Sequence, residues 1–98
     1  MPVFPNATSD TYTSEGLHQN QPIQVRLDEG SIAISYQDDD GPVVYEGLEI
    51  ESGHFELDCA RKRGKAILHR MPGENVLEGW WLENRIEGMW RIYLNSED

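Results

Sequence analysis

The stretch that decides the fold is NVLEGWWLENRIEGMWRIYL, residues 75–94. When this stretch is folded back at Asn84-Arg85, its two halves align as an antiparallel hairpin. The facing pairs are Trp81 with Gly88, Gly79 with Trp90, Leu77 with Ile92, and Glu78 with Arg91. Aromatic side chains over cross-strand glycines, and opposite charges directly across, fix the register of a strand pair. The stretch therefore predicts an antiparallel sheet, but it predicts no reaction.

Short alternating segments separated by turn residues continue this pattern through the chain from Pro22 onward. The pattern predicts strands over 23–27, 31–36, 43–50, 54–59, 64–70, 75–83 and 86–94. Helix signals are nearly absent. We therefore expect an all-β fold, an antiparallel up-and-down meander of about seven strands that forms a small barrel or a strongly curved sheet.

The N-terminal residues 1–21 are polar, include two prolines and show little apolar periodicity. We expect them to form a mobile arm that precedes a single all-β domain over residues 22–98. A barrel of seven strands would have to close through a parallel pair. A strand around Thr11-Tyr12-Thr13 would instead close it antiparallel. Without either closure, the sheet keeps open edges to which a partner could add a strand.

One face of the predicted sheet collects almost all of the large aliphatic residues and forms the core. Its members are Ile23, Val25, Leu27, Ile32, Ile34, Tyr36, Val44, Leu48, Ile50, Phe55, Leu57, Cys59, Ala66, Leu68, Leu77, Trp81, Trp90, Ile92 and Leu94. We expect Gly64, Gly79 and Gly88 to leave room for the two indoles on this face.

The charge of the chain limits its partners. The net charge is −10, and residues 1–60 contain twelve acids and one base. Such a chain repels nucleic acid and anionic membranes, so we expect neither as a partner. The acidic loop at Asp38-Asp39-Asp40 and the basic cluster over residues 61–65 carry opposite charges, which could attract two copies of the chain to each other.

The location is predicted from what the sequence lacks. The 98 residues contain one cysteine, Cys59, no run of about 18 apolar residues and no secretion signal at the N-terminus. A lone cysteine in alternation with Phe55 and Leu57 indicates a small buried apolar side chain in a reducing compartment. We therefore expect a cytoplasmic protein.

The opposite face of the sheet is where a function has to be found. On the C-terminal strands it presents a partner-binding set, namely Trp80, Met89, Tyr93, Val76, Arg91 and Lys65. Trp80 faces Met89, and Lys65 is expected opposite Trp80, where a cation–π contact is feasible. Residues of these types are enriched at protein interfaces. The set predicts a non-catalytic acidic interaction module that binds a protein partner or itself, unless Val3, Phe4 and Tyr12 of the arm cover it.

Two other functions remain open. The steps Gly79-Trp80-Trp81 and Gly88-Met89-Trp90 resemble those of the lipocalin and avidin barrels, and this resemblance implies a small ligand inside the barrel. An enzyme that uses His54, His69 and Glu56 is a third hypothesis, because the three groups share a face. Glu49, Glu56 and His69 are expected in one row that resembles a metal site, but such rows arise by accident in charged sheets. We predict no catalytic residue, no metal and no cofactor.

Overall fold

The structure, a computed structural model, describes residues 3–95 and shows eight antiparallel β-strands. The strands are β1 (Val3–Thr13), β2 (Gly16–Asp28), β3 (Ser31–Asp38), β4 (Gly41–Glu51), β5 (His54–Cys59), β6 (Gly64–His69), β7 (Val76–Glu83) and β8 (Ile86–Tyr93). Each strand pairs with the next one along the chain, and β1 pairs with β8. The predicted all-β meander is confirmed, and it closes into a small barrel.

The hairpin of β7 and β8 has the predicted register. Trp81 pairs with Gly88 and Trp80 with Met89 across the two strands. The turn between the strands places Asn84 at a φ of 47° and Arg85 at a φ of 76°. Two successive positive φ angles match the right-handed twist of the strands that they connect, although Arg85 pays a steric cost there that glycine would not.

The N-terminus differs from the prediction. Residues 3–21, expected in a mobile arm, form β1 and the first part of β2. The alternative of an eighth strand around Thr11-Tyr12-Thr13 is the one observed, since Thr11 pairs with Trp90 and Tyr12 with Met89. Two irregularities in the pairing of β1 with β2 interrupt the period-two alternation of this segment. The sequence of this segment therefore does not show the regular alternation that indicates a strand.

The expectation for β4 is wrong for a similar reason. A β-bulge between Glu49 and Glu51 adds Ile50 to the strand, and Gly47 consequently pairs with Leu57. One extra residue reverses the faces of a strand, since side chains alternate with a period of two. Val43 and Tyr45 therefore point into the core, whereas the predicted core residues Val44, Leu48 and Ile50 are exposed.

The interior of the barrel is filled by one cluster of buried side chains drawn from all eight strands. Cys59 is 2% exposed within it, as the alternation predicted. Gly88 makes room for the Trp81 indole, as expected, because a Cβ at Gly88 would lie 2.8 Å from that ring. Gly64 makes room for the Tyr45 hydroxyl and not for an indole. These close approaches allow large aromatic side chains inside a narrow barrel.

Candidate functional site

An apolar row crosses the outside of the barrel on five adjacent strands, β6, β7, β8, β1 and β2. Its residues, paired in this order, are Ile67, Trp80, Met89, Tyr12 and Leu17. We call this set the outer row. Neighbouring strands lie about 4.8 Å apart, so the row extends over about 19 Å of the wall.

The outer row is open to solvent. Trp80 is 42% exposed, Met89 60%, Tyr12 57% and Leu17 53%, while Ile67 is half-buried. Large contiguous apolar patches are uncommon on the surfaces of monomeric proteins and mark interaction sites. The N-terminal segment therefore extends the apolar surface through Tyr12 instead of covering it.

Charged side chains lie beside the outer row. On one side, the guanidinium Nε of Arg91 is 3.2 Å from a carboxylate oxygen of Glu78, which confirms the predicted pair. Asp10 pairs with Arg91 across β1 and β8. On the other side, Lys65 pairs with Asp58. Acids and bases thus alternate along one edge of the apolar row, in the order Glu78, Arg91 and Asp10.

The predicted partner-binding residues are only partly brought together. Trp80 and Met89 are at the centre of the outer row, and Arg91 is exposed beside it. Val76 and Tyr93 pair with each other and are half-buried.

The position expected for Lys65 is wrong. Lys65 pairs with Leu82, and Ile67 takes the place opposite Trp80. The loop between β6 and β7 is longer than expected, which moves the register of this strand pair by two residues. The predicted cross-strand contact of Lys65 with Trp80 is therefore not formed by this pairing.

His54, His69 and Glu56 lie together on the outer wall of the barrel. His54 Nδ1 lies 2.7 Å from His69 Nε2, and His54 Nε2 lies 3.2 Å from a carboxylate oxygen of Glu56. Catalysis uses a concave site that excludes water. None of these three side chains lines the pocket at the end of the barrel. The expected row with Glu49 is wrong, because the bulge places Glu49 opposite Phe55. Within residues 3–95, no group of three or more His, Cys, Asp or Glu is placed to hold a metal ion.

The acidic loop and the basic cluster contact each other within one chain. Asp38 accepts hydrogen bonds from Arg61, at 3.2 Å, and from the Lys62 ammonium, at 2.5 Å. The bond from Lys62, and next the backbone N–H of Asp40, lower the pKa of Asp38 to about 2. The opposite charges of the two loops, which were expected to attract a second copy, are therefore paired within one chain.

A pocket of about 780 Å³ lies at one end of the barrel, and we call it the mouth pocket. Four aromatic side chains contribute to its lining: Tyr36 from β3, Tyr45 from β4, Trp81 from β7 and Trp90 from β8. The Trp90 ring centroid is 6.3 Å from that of Tyr36 and 5.5 Å from that of Tyr45, both in edge-to-face geometry. The volume is within the range of pockets that hold small molecules.

The carboxylate of Glu83 contacts one of these aromatic side chains in the mouth pocket. The Tyr45 hydroxyl donates a hydrogen bond to Glu83, which also lines the pocket. Burial, and then the hydrogen bond to the negative charge of Glu83, raise the pKa of Tyr45 far above its ordinary value. Burial, and then the charge of Glu83, do the same to the pKa of Tyr36. Both phenols therefore stay neutral beside the Glu83 carboxylate.

Sequence reasoning missed the mouth pocket, although it placed Tyr36, Trp81 and Trp90 inside the barrel. The predicted core contains Val44 and not Tyr45, because the sequence pattern gives no sign of the bulge in β4. The pairing of Tyr45 with Glu83 joins residues 38 positions apart, and no local pattern indicates it. The one available signal was Gly64, whose missing side chain leaves space for the Tyr45 hydroxyl.

Comparisons with known proteins give no family for the chain. No family model matches it, and no match is found among the curated proteins or the solved structures. The resemblance to the lipocalin and avidin barrels thus rests on the sequence steps quoted above. Across residues 3–95, the structure contains no helix with the length and apolar character needed to cross a membrane.

Proposed function

We propose that this protein is a non-catalytic interaction module that binds a protein partner, specifically a second copy of itself, through the outer row. The observation that carries the proposal is the continuous apolar row over five strands, with the exposed Trp80 and Met89 at its centre. Burial of such a row releases about 25 cal/mol for each square ångström of apolar surface removed from water.

A second copy fits this surface because the row is self-complementary. In a two-fold interface, each residue contacts a partner that contacts it in return. An axis between β7 and β8 would place Trp80 of one copy on Met89 of the other. The same axis would place Glu78 of one copy opposite Arg91 of the other, so the flanking charges would also match. A net charge of −10 on each copy opposes pairing at a distance, and this repulsion weakens with salt.

The test is the molecular mass in solution as a function of concentration, measured by light scattering. We expect the wild type to reach the mass of a dimer and Trp80→Ser/Met89→Ser to remain a folded monomer. Val44→Ser/Ile50→Ser is the matched control, because these side chains are 41% and 53% exposed elsewhere on the wall. We expect the control to dimerise like the wild type. A wild type that stays monomeric at every concentration would overturn pairing with a second copy.

The mouth pocket favours a second candidate function, the binding of a small ligand. Its volume of about 780 Å³ and its aromatic lining support this candidate. Titration with a panel of small molecules, monitored by the fluorescence of Trp81 and Trp90, tests it. We place the protein in the cytoplasm, a proposal supported by its single cysteine, which is buried.

A further inference from the structure

We propose that the mouth pocket binds an organic cation, specifically a quaternary or alkylated ammonium group joined to a small apolar body. The inference rests on the second of the two functions proposed above and specifies its ligand class. It is carried by two features that occur together at the pocket, a set of aromatic rings and an excess of carboxylates.

The aromatic rings come from opposite walls of the barrel. Tyr36 and Tyr45 are on β3 and β4, while Trp81 and Trp90 are on β7 and β8. An ammonium ion within about 6 Å of a ring centroid is attracted by the negative face of the ring, most strongly for tryptophan. Trp90 packs edge to face against both tyrosines, and Tyr36 is the one ring of the four that is only half-buried, so a cation would meet these rings from the open side of the pocket. Both phenols are held neutral, so they act as polar rings and not as anions.

Acidic side chains predominate in the pocket lining, which also contains His18. Its lining includes Asp38, Asp39 and Glu83, whereas no lysine or arginine of the described chain contributes to it. Asp38 is neutralised by Arg61 and Lys62, which lie outside the lining. Of the two other carboxylates, Asp39 and Glu83, Glu83 is the one that accepts a hydrogen bond from an aromatic side chain of the lining, the Tyr45 hydroxyl.

An anionic or purely apolar ligand fits the pocket less well. An anion would be repelled by Glu83 and would meet no lysine or arginine in the lining. A purely apolar ligand would remove the Glu83 carboxylate from water and would bring no positive charge of its own to offset that cost. A cation with an apolar body provides the countercharge for Glu83 and also contacts Trp81 and Trp90.

The experiment uses choline and its neutral isostere dimethylbutanol, in which carbon replaces the quaternary nitrogen. Binding to the full chain is measured by calorimetry and by NMR of the three tryptophan indole N–H signals. We expect choline to bind at least about tenfold more tightly than dimethylbutanol. The signals of Trp81 and Trp90 should shift, whereas that of Trp80, on the outer wall, should not.

Two variants with the same change in charge test the role of the carboxylate. Glu83→Gln should abolish the preference for choline, while Glu87→Gln, at an exposed position outside the lining, should keep it. If Glu83→Gln fails to fold, the comparison of the two probes on the wild type still decides the question. A peptide with trimethyllysine, compared with its unmodified form, shows whether the ammonium group comes from a protein or from a free molecule.

The outcomes separate the two levels of the proposal. Equal affinity for choline and dimethylbutanol would overturn the cation preference and leave the small-ligand function standing. Binding of neither probe would overturn the cation proposal, and the titration with a panel of small molecules would then decide the small-ligand function. A preference for choline that survives Glu83→Gln would overturn the assignment of Glu83.

Discussion

The substitution Gly88→Ala tests the closure of the barrel between β8 and β1. A Cβ at Gly88 would overlap the backbone carbonyl oxygen of Tyr12 on β1 and would lie 2.8 Å from the Trp81 ring. Neither obstacle can move easily, since the carbonyl belongs to a strand and the indole is only 8% exposed. Overpacking costs about 1–3 kcal/mol in well-packed interiors, and we expect about 3 kcal/mol because one obstacle is backbone.

The expected loss is large for a domain of this size. About 3 kcal/mol corresponds to a fall in Tm of about 12–24 °C, since each kcal/mol shifts Tm by about 4–8 °C in small domains. Thermal and urea unfolding, followed by tryptophan fluorescence and circular dichroism, measure the change. Glu87→Ala is the control, because this neighbouring exposed residue should change stability by no more than about 0.5 kcal/mol. A Gly88→Ala protein as stable as the control would refute the close approach of β1 to β8.

Three further predictions concern single residues. Arg85→Gly should raise the free energy of unfolding in urea by about 0.5–1 kcal/mol, because glycine adopts a φ of 76° without the steric cost that a Cβ brings. A destabilised variant would contradict this turn geometry. The Asp38 carboxyl should titrate by NMR with a pKa of about 2, and Lys62→Gln should raise this pKa. Because the pKa of Asp38 is lower in the folded protein than in the unfolded chain, its ion pairs stabilise the fold above about pH 4, and this contribution is lost as the pH falls toward 2. The Tyr45 phenol should resist ionisation in ultraviolet titration, and Glu83→Gln should lower its pKa. Because the pKa of Tyr45 is higher in the folded protein than in the unfolded chain, the buried neutral phenol stabilises the fold below about pH 10, and this contribution is lost as the pH rises. An unchanged Tyr45 titration in Glu83→Gln would show that burial alone raises this pKa.

The fold class could be predicted because its signals are local. Turn dipeptides, alternation and the glycine–tryptophan pairs of residues 75–94 all lie within single hairpins. The exposed pair of Trp80 and Met89 followed from the same hairpin register. Each of these features needs only the residues of two neighbouring strands.

The features that could not be predicted depend on irregular backbone or on distant contacts. In β4, apolar residues occupy both faces, so only the bulge at Ile50 decides that Tyr45 is buried and Leu48 exposed. In β1, the inward positions include Ser9 and Ala7, small residues that give little apolar signal. The outer row and the mouth pocket both include residues of β1, so neither can be predicted completely from the sequence.

The most direct test of the central proposal follows the methionine methyl groups by NMR as the protein is diluted. Met89 is 60% exposed within the outer row, and Met71 is 70% exposed in the loop before β7, which makes it an internal control. From about 1 mM down to about 10 µM, we expect the Met89 methyl signal to shift with the same midpoint as the molecular mass. The Met71 signal should stay in place. A mass that changes with concentration while the Met89 signal remains constant would contradict association through the outer row.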